Sequence, residues 1–264
     1  MSRRAEAPVR GRATSADGTE IAFDRFGGGP AVVVVGGALM NRASPQETVR
    51  LLAETHAVYS YDRRGRGESG DTLPYAPERE IDDACAILDE CGPARIFGMS
   101  SGGLIALGVA ARDPRIVKAA VYEPPFLTGD GPLTATEYRS RLDEAVAAGR
   151  PDRAVELFLR QVSGGWFDES ITSAPWWPGM VALGASLRYD AALTGDGSIP
   201  IGTLSAIATP VLALHGGASH GWAEKAAEAV SAAVPNGAVR RLEGQGHQVD
   251  QGVLAAALAE FFDD

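Results

Sequence analysis

Residues 97–103 read FGMSSGG, and the fold turns on whether this is a small polar turn or a bend that holds a serine out. Gly98-Met99-Ser100-Ser101-Gly102 fits G-x-S-x-G, which alone is a weak signal in a chain with 32 glycines. The setting is stronger. The spacing predicts a strand over 95–99 and a helix over 103–112, so the serine stands at a strand-to-helix turn. A turn that tight strains its central residue, and a Cβ at either flanking glycine would collide with neighbouring backbone. Ser100 is then placed at a helix N-terminus, where the dipole and free N–H groups favour developing negative charge. The alternative is a polar helix cap.

Working outward, AVVVV (31–35) is a β-branched run expected to be buried on both faces of a sheet. EIAFDRF (20–26) alternates like a strand, and HAVYSY (56–61) and residues 117–122 read as further strands. Helical spacing occupies 46–54 and 78–90 between them. Strand and helix alternating with short links predict an α/β fold with a doubly wound parallel sheet. The first 15 or so residues read as a loose tail. From 134 to 185 helices follow one another with no strand, and the sheet pattern resumes at PVLALH (210–215). The expected division is a core of 1–124 and 209–264 carrying a helical cap, 125–208.

The chain has 264 residues with 24 Lys+Arg against 34 Asp+Glu, a net charge of −10. That argues against nucleic acid or an anionic membrane as partner. Two short basic runs, Arg3-Arg4 and Arg63-Arg64-x-Arg66, read as a solvated tail and a solvated loop. Cys85 and Cys91 lie six apart on a predicted helix and point in different directions, and no metal-ligand spacing occurs, so no disulfide and no metal are expected. Unpaired cysteines suit a reducing compartment. The N-terminus lacks the apolar stretch of a signal peptide, and the apolar runs fall short of the roughly 18 residues that span a bilayer. The expectation is a cytoplasmic protein; oligomeric state is not legible.

A serine hydroxyl needs a base, and the base an orienting acid. Of four histidines, His56 begins a strand and His215 ends one, so both read as structural. His220 lies in the loop GGASHGW and is a minor candidate. His247, in GQGHQV between the last strand and last helix, would hang over the carboxyl edge of the sheet beside Ser100. An oxyanion hole needs two backbone donors: Ser101, and a residue of GGAL (36–39) after AVVVV, expected to be Ala38.

These motifs together resemble the α/β-hydrolase family, of the kind with a helical cap, over residues 18 to 263. The resemblance rests on GMSSG, DRRGRGESG, GGAL, PVLALHGG and GQGHQVD. It implies a mostly parallel central sheet of about eight strands and Ser-acid-His catalysis without cofactor. One position departs. Most relatives place an aspartate in the loop after the PVLALHG strand, and here that position is Ser219, with no carboxylate until Glu224. Some relatives, among them certain dehalogenases and zearalenone-type lactonases, take the acid from the end of the preceding strand, where this chain reads VYEPPF and offers Glu123. Asp250 is a remote further candidate, and Asp62 is expected to hold its own arginine-rich loop. By the same analogy, epoxide hydrolases and dehalogenases of this fold need an aspartate where Ser100 stands, so the serine points instead to carbonyl attack, on an ester, thioester, lactone or vinylogous C–C bond.

The pocket is expected between core and cap, lined by Leu39, Met99, Phe126, Trp166, Trp176, Trp177, His220 and Trp222, with an apolar or aromatic ester or lactone as substrate. Two other functions fit the same residues. One is a lyase or cyclase using His247 as base with Ser100 as hydrogen-bond donor. The other is a catalytically silent ligand-binding protein, suggested by the missing aspartate.

Overall fold

The computed structural model describes residues 7–126 and 131–264, so Arg3, Arg4 and residues 127–130 of the expected cap lie outside it. Eight strands form one sheet in the order β1-β2-β4-β3-β5-β6-β7-β8. They are β1 (Val9–Thr14), β2 (Glu20–Phe26), β3 (Ala31–Val35), β4 (Ala57–Tyr61), β5 (Ala94–Met99), β6 (Ile116–Tyr122), β7 (Val211–Gly216) and β8 (Gly237–Leu242). β1 and β2 pair antiparallel, β2 meets β4 antiparallel, and every other pairing is parallel.

Alternation along the central strands builds two cores. Val33, Val35, Ile96, Val121 and Ala213 face one side. There they pack with apolar residues of α2 (Pro77–Cys91), α3 (Ser101–Arg112) and α9 (Gly221–Ala233). Val32, Val34, Phe97, Tyr122, Leu212 and Leu214 face the other side, under α1 (Gln46–Leu52) and α10 (Gln251–Asp263). Covering both faces is what lets the apolar run of β3, and β4 with it, be buried at every position. Between β6 and β7 the chain is helical: α4 (Ala135–Ala147), α5 (Pro151–Val162), α6 (Trp177–Leu183), α7 (Leu187–Thr194) and α8 (Ile201–Ser205). Leu142, Ala154, Val155, Leu187 and Ala191 give these cap helices a small core of their own, against which Ala38 and Leu39 pack.

Two expectations fail. Residues 9–14 are not a tail but an edge strand. VRGRAT shows no apolar alternation because it buries only Ala13, while Phe23 lies flat over Gly11, where a Cβ would stand 2.2 Å from the ring. The arginine loop is not solvated either: Arg63, Arg64 and Arg66 are each 2% exposed or less. Each has found carboxylates, which is the condition for burying a guanidinium. Arg64 forks onto Asp83 at 2.8 and 2.7 Å and reaches Asp17 at 2.9 Å, tying the β1–β2 turn to α2. As expected, Asp62 holds this loop, accepting from the Glu68 and Arg42 amides and pairing with the Arg42 guanidinium.

The strand-to-helix turn rests on two glycines. A Cβ on Gly98 would lie 2.3 Å from the Gly102 carbonyl oxygen, and one on Gly102 would lie 2.4 Å from that of Val35. Gly102→Ala should therefore lower stability by about 1–3 kcal/mol through overpacking. Gly28→Ala, with nothing within 4 Å of its Cβ, should change little. Urea unfolding monitored by circular dichroism checks this as a fall in midpoint at constant slope.

Candidate active site

Among the described residues, the non-glycine residues with positive φ are Leu39 (55°), Ser100 (52°) and Glu123 (46°). Each follows the end of one of three strands adjacent in the sheet, β3, β5 and β6. L-residues rarely adopt this region, and such strain clusters where a fold aims side chains for function. Ser100, with ψ −126°, is the residue before α3. Its amide is fixed by the Tyr122 carbonyl at 2.8 Å. The loop after β3 comes close: a Cβ on Gly37 would stand 3.0 Å from Ser100 Cβ.

Glu123 is fully buried at the carboxyl end of β6. Its Oε1 accepts from the Gly216 amide at 2.8 Å and from the Ser219 hydroxyl at 2.5 Å, and its Oε2 meets His247 Nδ1 at 2.7 Å. The serine standing where relatives carry an aspartate thus donates to a carboxylate from the neighbouring strand. Burial pushes the Glu123 carboxyl up, but the hydrogen bonds from His247, Ser219 and Gly216 outweigh it and hold the group below its ordinary value. An ionised carboxylate only accepts, so His247 Nδ1 is the donor in this contact and Nε2 is the nitrogen turned away from it. The histidine loop is pinned from beneath, where the Tyr122 hydroxyl donates to the Gly246 carbonyl at 2.6 Å.

The structure thus brings Glu123 and His247 into contact and sets the Gly37–Ala38 loop against Ser100. Among the described residues it records no hydrogen bond from Ser100 Oγ to His247. Trp222 flanks the imidazole, with ring centroids 6.2 Å apart. Half-buried Leu39 and Trp177 pack against the cap's core, and half-buried Met99 against the α1–α10 side of the sheet. Other pocket candidates go elsewhere. Trp166 and Trp176 are 69% and 52% exposed, so they face solvent instead of forming an aromatic wall. His220 is exposed and precedes α9. Phe126 is buried in the core and lines a separate cavity of about 340 Å³ between α2, α3, α7 and α8, which contains neither Ser100 nor His247. Asp250 caps α10 through the Gly252 and Val253 amides. His56 and His215 are buried, as their strand positions suggest.

Sequence reasoning missed a buried charged cluster behind the serine. Arg63 forks onto Glu80 at 2.7 and 2.6 Å and reaches Asp190 of α7 at 2.8 Å. Arg66 meets the other Asp190 oxygen at 2.6 Å. The glycine-punctuated DRRGRGESG was the available signal, but nothing local marks Asp190 as its partner 124 residues on.

Because Glu123 titrates lower in the folded chain, its stabilisation is complete above its ordinary value of 4.5 and is lost as pH falls through the folded value. Wild type should lose unfolding free energy on acidification from about pH 5 to pH 3 more steeply than Glu123→Gln. Denaturant titrations at several pH values measure this; parallel acid limbs would mean Glu123 is not the ionised partner of His247.

Comparison with known proteins agrees with this architecture. A family model described as the alpha/beta hydrolase family matches residues 23–263. An alpha/beta hydrolase from Sphaerobacter thermophilus DSM 20745 superposes with a TM-score of 0.88 at 43% identity, over 96% of this chain and 100% of that one. Polyketide synthase ThaQ of Burkholderia thailandensis is 27% identical over 85% of this chain, which spans 11% of that protein. A pimeloyl-[acyl-carrier protein] methyl ester esterase of Neisseria meningitidis is 32% identical over 49% of this chain and 42% of its own length. The chain therefore spans less than half the length of these curated relatives, and it belongs to the alpha/beta hydrolase family.

Proposed function

We propose that this protein hydrolyses a carboxylic ester or lactone through an acyl-enzyme, with Ser100 as nucleophile, His247 as general base and Glu123 as the acid that orients it. The observation that carries the reading is the 2.7 Å contact between His247 Nδ1 and a fully buried Glu123, at a sheet edge that also holds Ser100 in a strained turn. In the first step Ser100 Oγ attacks the carbonyl carbon and its proton passes to His247 Nε2. The carbonyl π electrons move onto oxygen, and the Ala38 and Ser101 amides stabilise that oxyanion. Collapse breaks the bond to the leaving oxygen, which takes the proton from His247; in a lactone the alcohol stays attached to the acyl chain. Water then repeats the sequence and frees the acid and Ser100. Glu123 keeps its charge throughout and stabilises the imidazolium.

The relative acting on a pimeloyl-carrier methyl ester supports ester chemistry over amide or C–C cleavage. Ser219 weakens the case for a silent binding protein, since its hydroxyl completes the environment of a carboxylate instead of marking a lost one. Trp222 beside His247, with Leu39 at the cap, favours an apolar acyl or alcohol group.

With a panel of nitrophenyl esters and aryl lactones, Ser100→Ala and His247→Ala should lower kcat by about four orders of magnitude or more. Glu123→Gln should lower it by about 10²–10⁴ while leaving KM near wild type. A fluorophosphonate should label wild type and not Ser100→Ala. Absence of both turnover and labelling in wild type would overturn the reading.

A further inference from the structure

Behind Ser100 the chain buries two arginines and two carboxylates, and one of the four comes from the cap. Asp190 of α7 is 5% exposed and has three partners. Its Oδ1 accepts from the Ser101 hydroxyl at 2.6 Å and from Arg63 at 2.8 Å, and its Oδ2 from Arg66 at 2.6 Å. Arg66 also holds the loop after β3, where its Nη1 donates to the carbonyls of Gly37 at 2.6 Å and Met40 at 3.1 Å. Arg63 likewise reaches the Gly36 carbonyl and Ser101 Oγ, at 3.3 and 3.2 Å.

The Gly37 carbonyl and the Ala38 N–H belong to one planar trans peptide unit, so they point in opposite directions. Drawing that carbonyl toward the buried Arg66 turns the Ala38 N–H the other way, out of the core. A charge-assisted bond to the carbonyl also polarises the unit and strengthens its N–H as a donor. On the other side, Ser101 begins α3, where the first amides have no partner within the helix. Its hydroxyl is tied inward to Asp190. Asp190 therefore reaches both segments that carry the donors assigned to the oxyanion hole, Ser101 through its hydroxyl and the Gly37–Ala38 peptide through Arg66. Burial pushes its carboxyl up, but Arg66 and Arg63 outweigh this and keep it ionised.

Resting on the serine-hydrolase reading above, we infer that Asp190 is a positioning residue for the oxyanion hole: it registers the Ala38 and Ser101 amides and does so only when the cap helix α7 is docked. The cap is thereby a structural part of the catalytic electrostatics as well as a cover over the pocket. Docking of α7 has independent support, since Tyr189 stacks on Tyr75 at 3.9 Å and its hydroxyl donates to Asp71 at 2.6 Å.

The probe is an aryl trifluoromethyl ketone. Ser100 Oγ adds to its carbonyl carbon, the proton passes to His247, and the resulting hemiketal oxyanion reports on the hole. Asp190→Asn keeps the shape and removes the charge. It should weaken ketone inhibition on the order of 10- to 100-fold and lower kcat by a similar factor. KM and the affinity for the matching non-electrophilic alcohol should stay within about threefold. Asp71→Asn removes the acceptor charge that holds Tyr189 and so loosens α7. It should lower the melting temperature and weaken ketone inhibition by a smaller factor than Asp190→Asn, and a lowered melting temperature with unchanged ketone affinity would overturn the dependence on α7 docking. Arg66→Lys keeps the charge but cannot fork between Gly37 and Asp190, and it serves if Asp190→Asn does not fold. Folded Asp190→Asn or Arg66→Lys with wild-type ketone affinity would overturn this inference alone, provided wild type takes both ketone and fluorophosphonate. Failure of wild type with both probes would remove the serine-hydrolase reading and this inference with it.

Discussion

Three adjacent strands end in backbone that side chains normally avoid, and the rest of the site is arranged to hold it there. Leu39, Ser100 and Glu123 have φ of 55°, 52° and 46°, a conformation that costs of order 1–3 kcal/mol apiece. No one of them is held by its own hydrogen bonds alone. Parallel pairing of β3, β5, β6 and β7 fixes the strand ends in register. Helices on both faces bury those strands and remove the freedom to relax. The strain is thus sustained by the sheet core, and it aims one loop, one hydroxyl and one carboxylate toward the same edge.

The second constraint is the charge buried beneath that edge. Arg63, Arg66, Glu80 and Asp190 carry two positive and two negative charges, each 5% exposed or less. A buried ionic group of this kind contributes little net stability compared with apolar residues of the same volume. Its effect here is geometric. It spans the arginine loop, α2, α3 and the cap, and five of its contacts end on the turn at Ser100 or the loop beside it. Truncating one member would leave its partners buried and unpaired, so the cluster resists piecemeal loss.

Legibility in the sequence followed the range of the interaction. The central strands, the turn at Ser100 and the placement of His247 were readable because they rest on local pattern: β-branched runs, a glycine-spaced serine, a loop before the last helix. β1 was not, since an edge strand that buries one alanine and leaves Gly11 under an aromatic ring shows no alternation. The arginine run was misread because local charge density says nothing of carboxylates 17, 19 and 124 residues away. Trp166 and Trp176 were misread for the opposite reason. Clustering in sequence suggested a shared wall, yet the cap is small enough that Trp166 and Trp176 remain at its surface.

Glu123 shows how a departure from family pattern can be absorbed by geometry. β6 and β7 are neighbours in the sheet, and parallel strands lie roughly 4.8 Å apart. A carboxylate moved from the end of β7 to the end of β6 is displaced by about one strand spacing, which the extra methylene of glutamate over aspartate helps to bridge. The Glu123 amide still bonds the Leu214 carbonyl at 2.9 Å, so the two strand ends remain paired at that level. The vacated position then needs a group that neither repels the carboxylate nor leaves it unsatisfied. A second carboxylate there would raise the pKa of the first. A serine does the reverse, and Ser219 donates to Glu123 from that position. In the proposed triad the exchange of acid and donor between two adjacent strands conserves both the charge and its hydrogen bonds, so the histidine meets the same chemistry from a different residue.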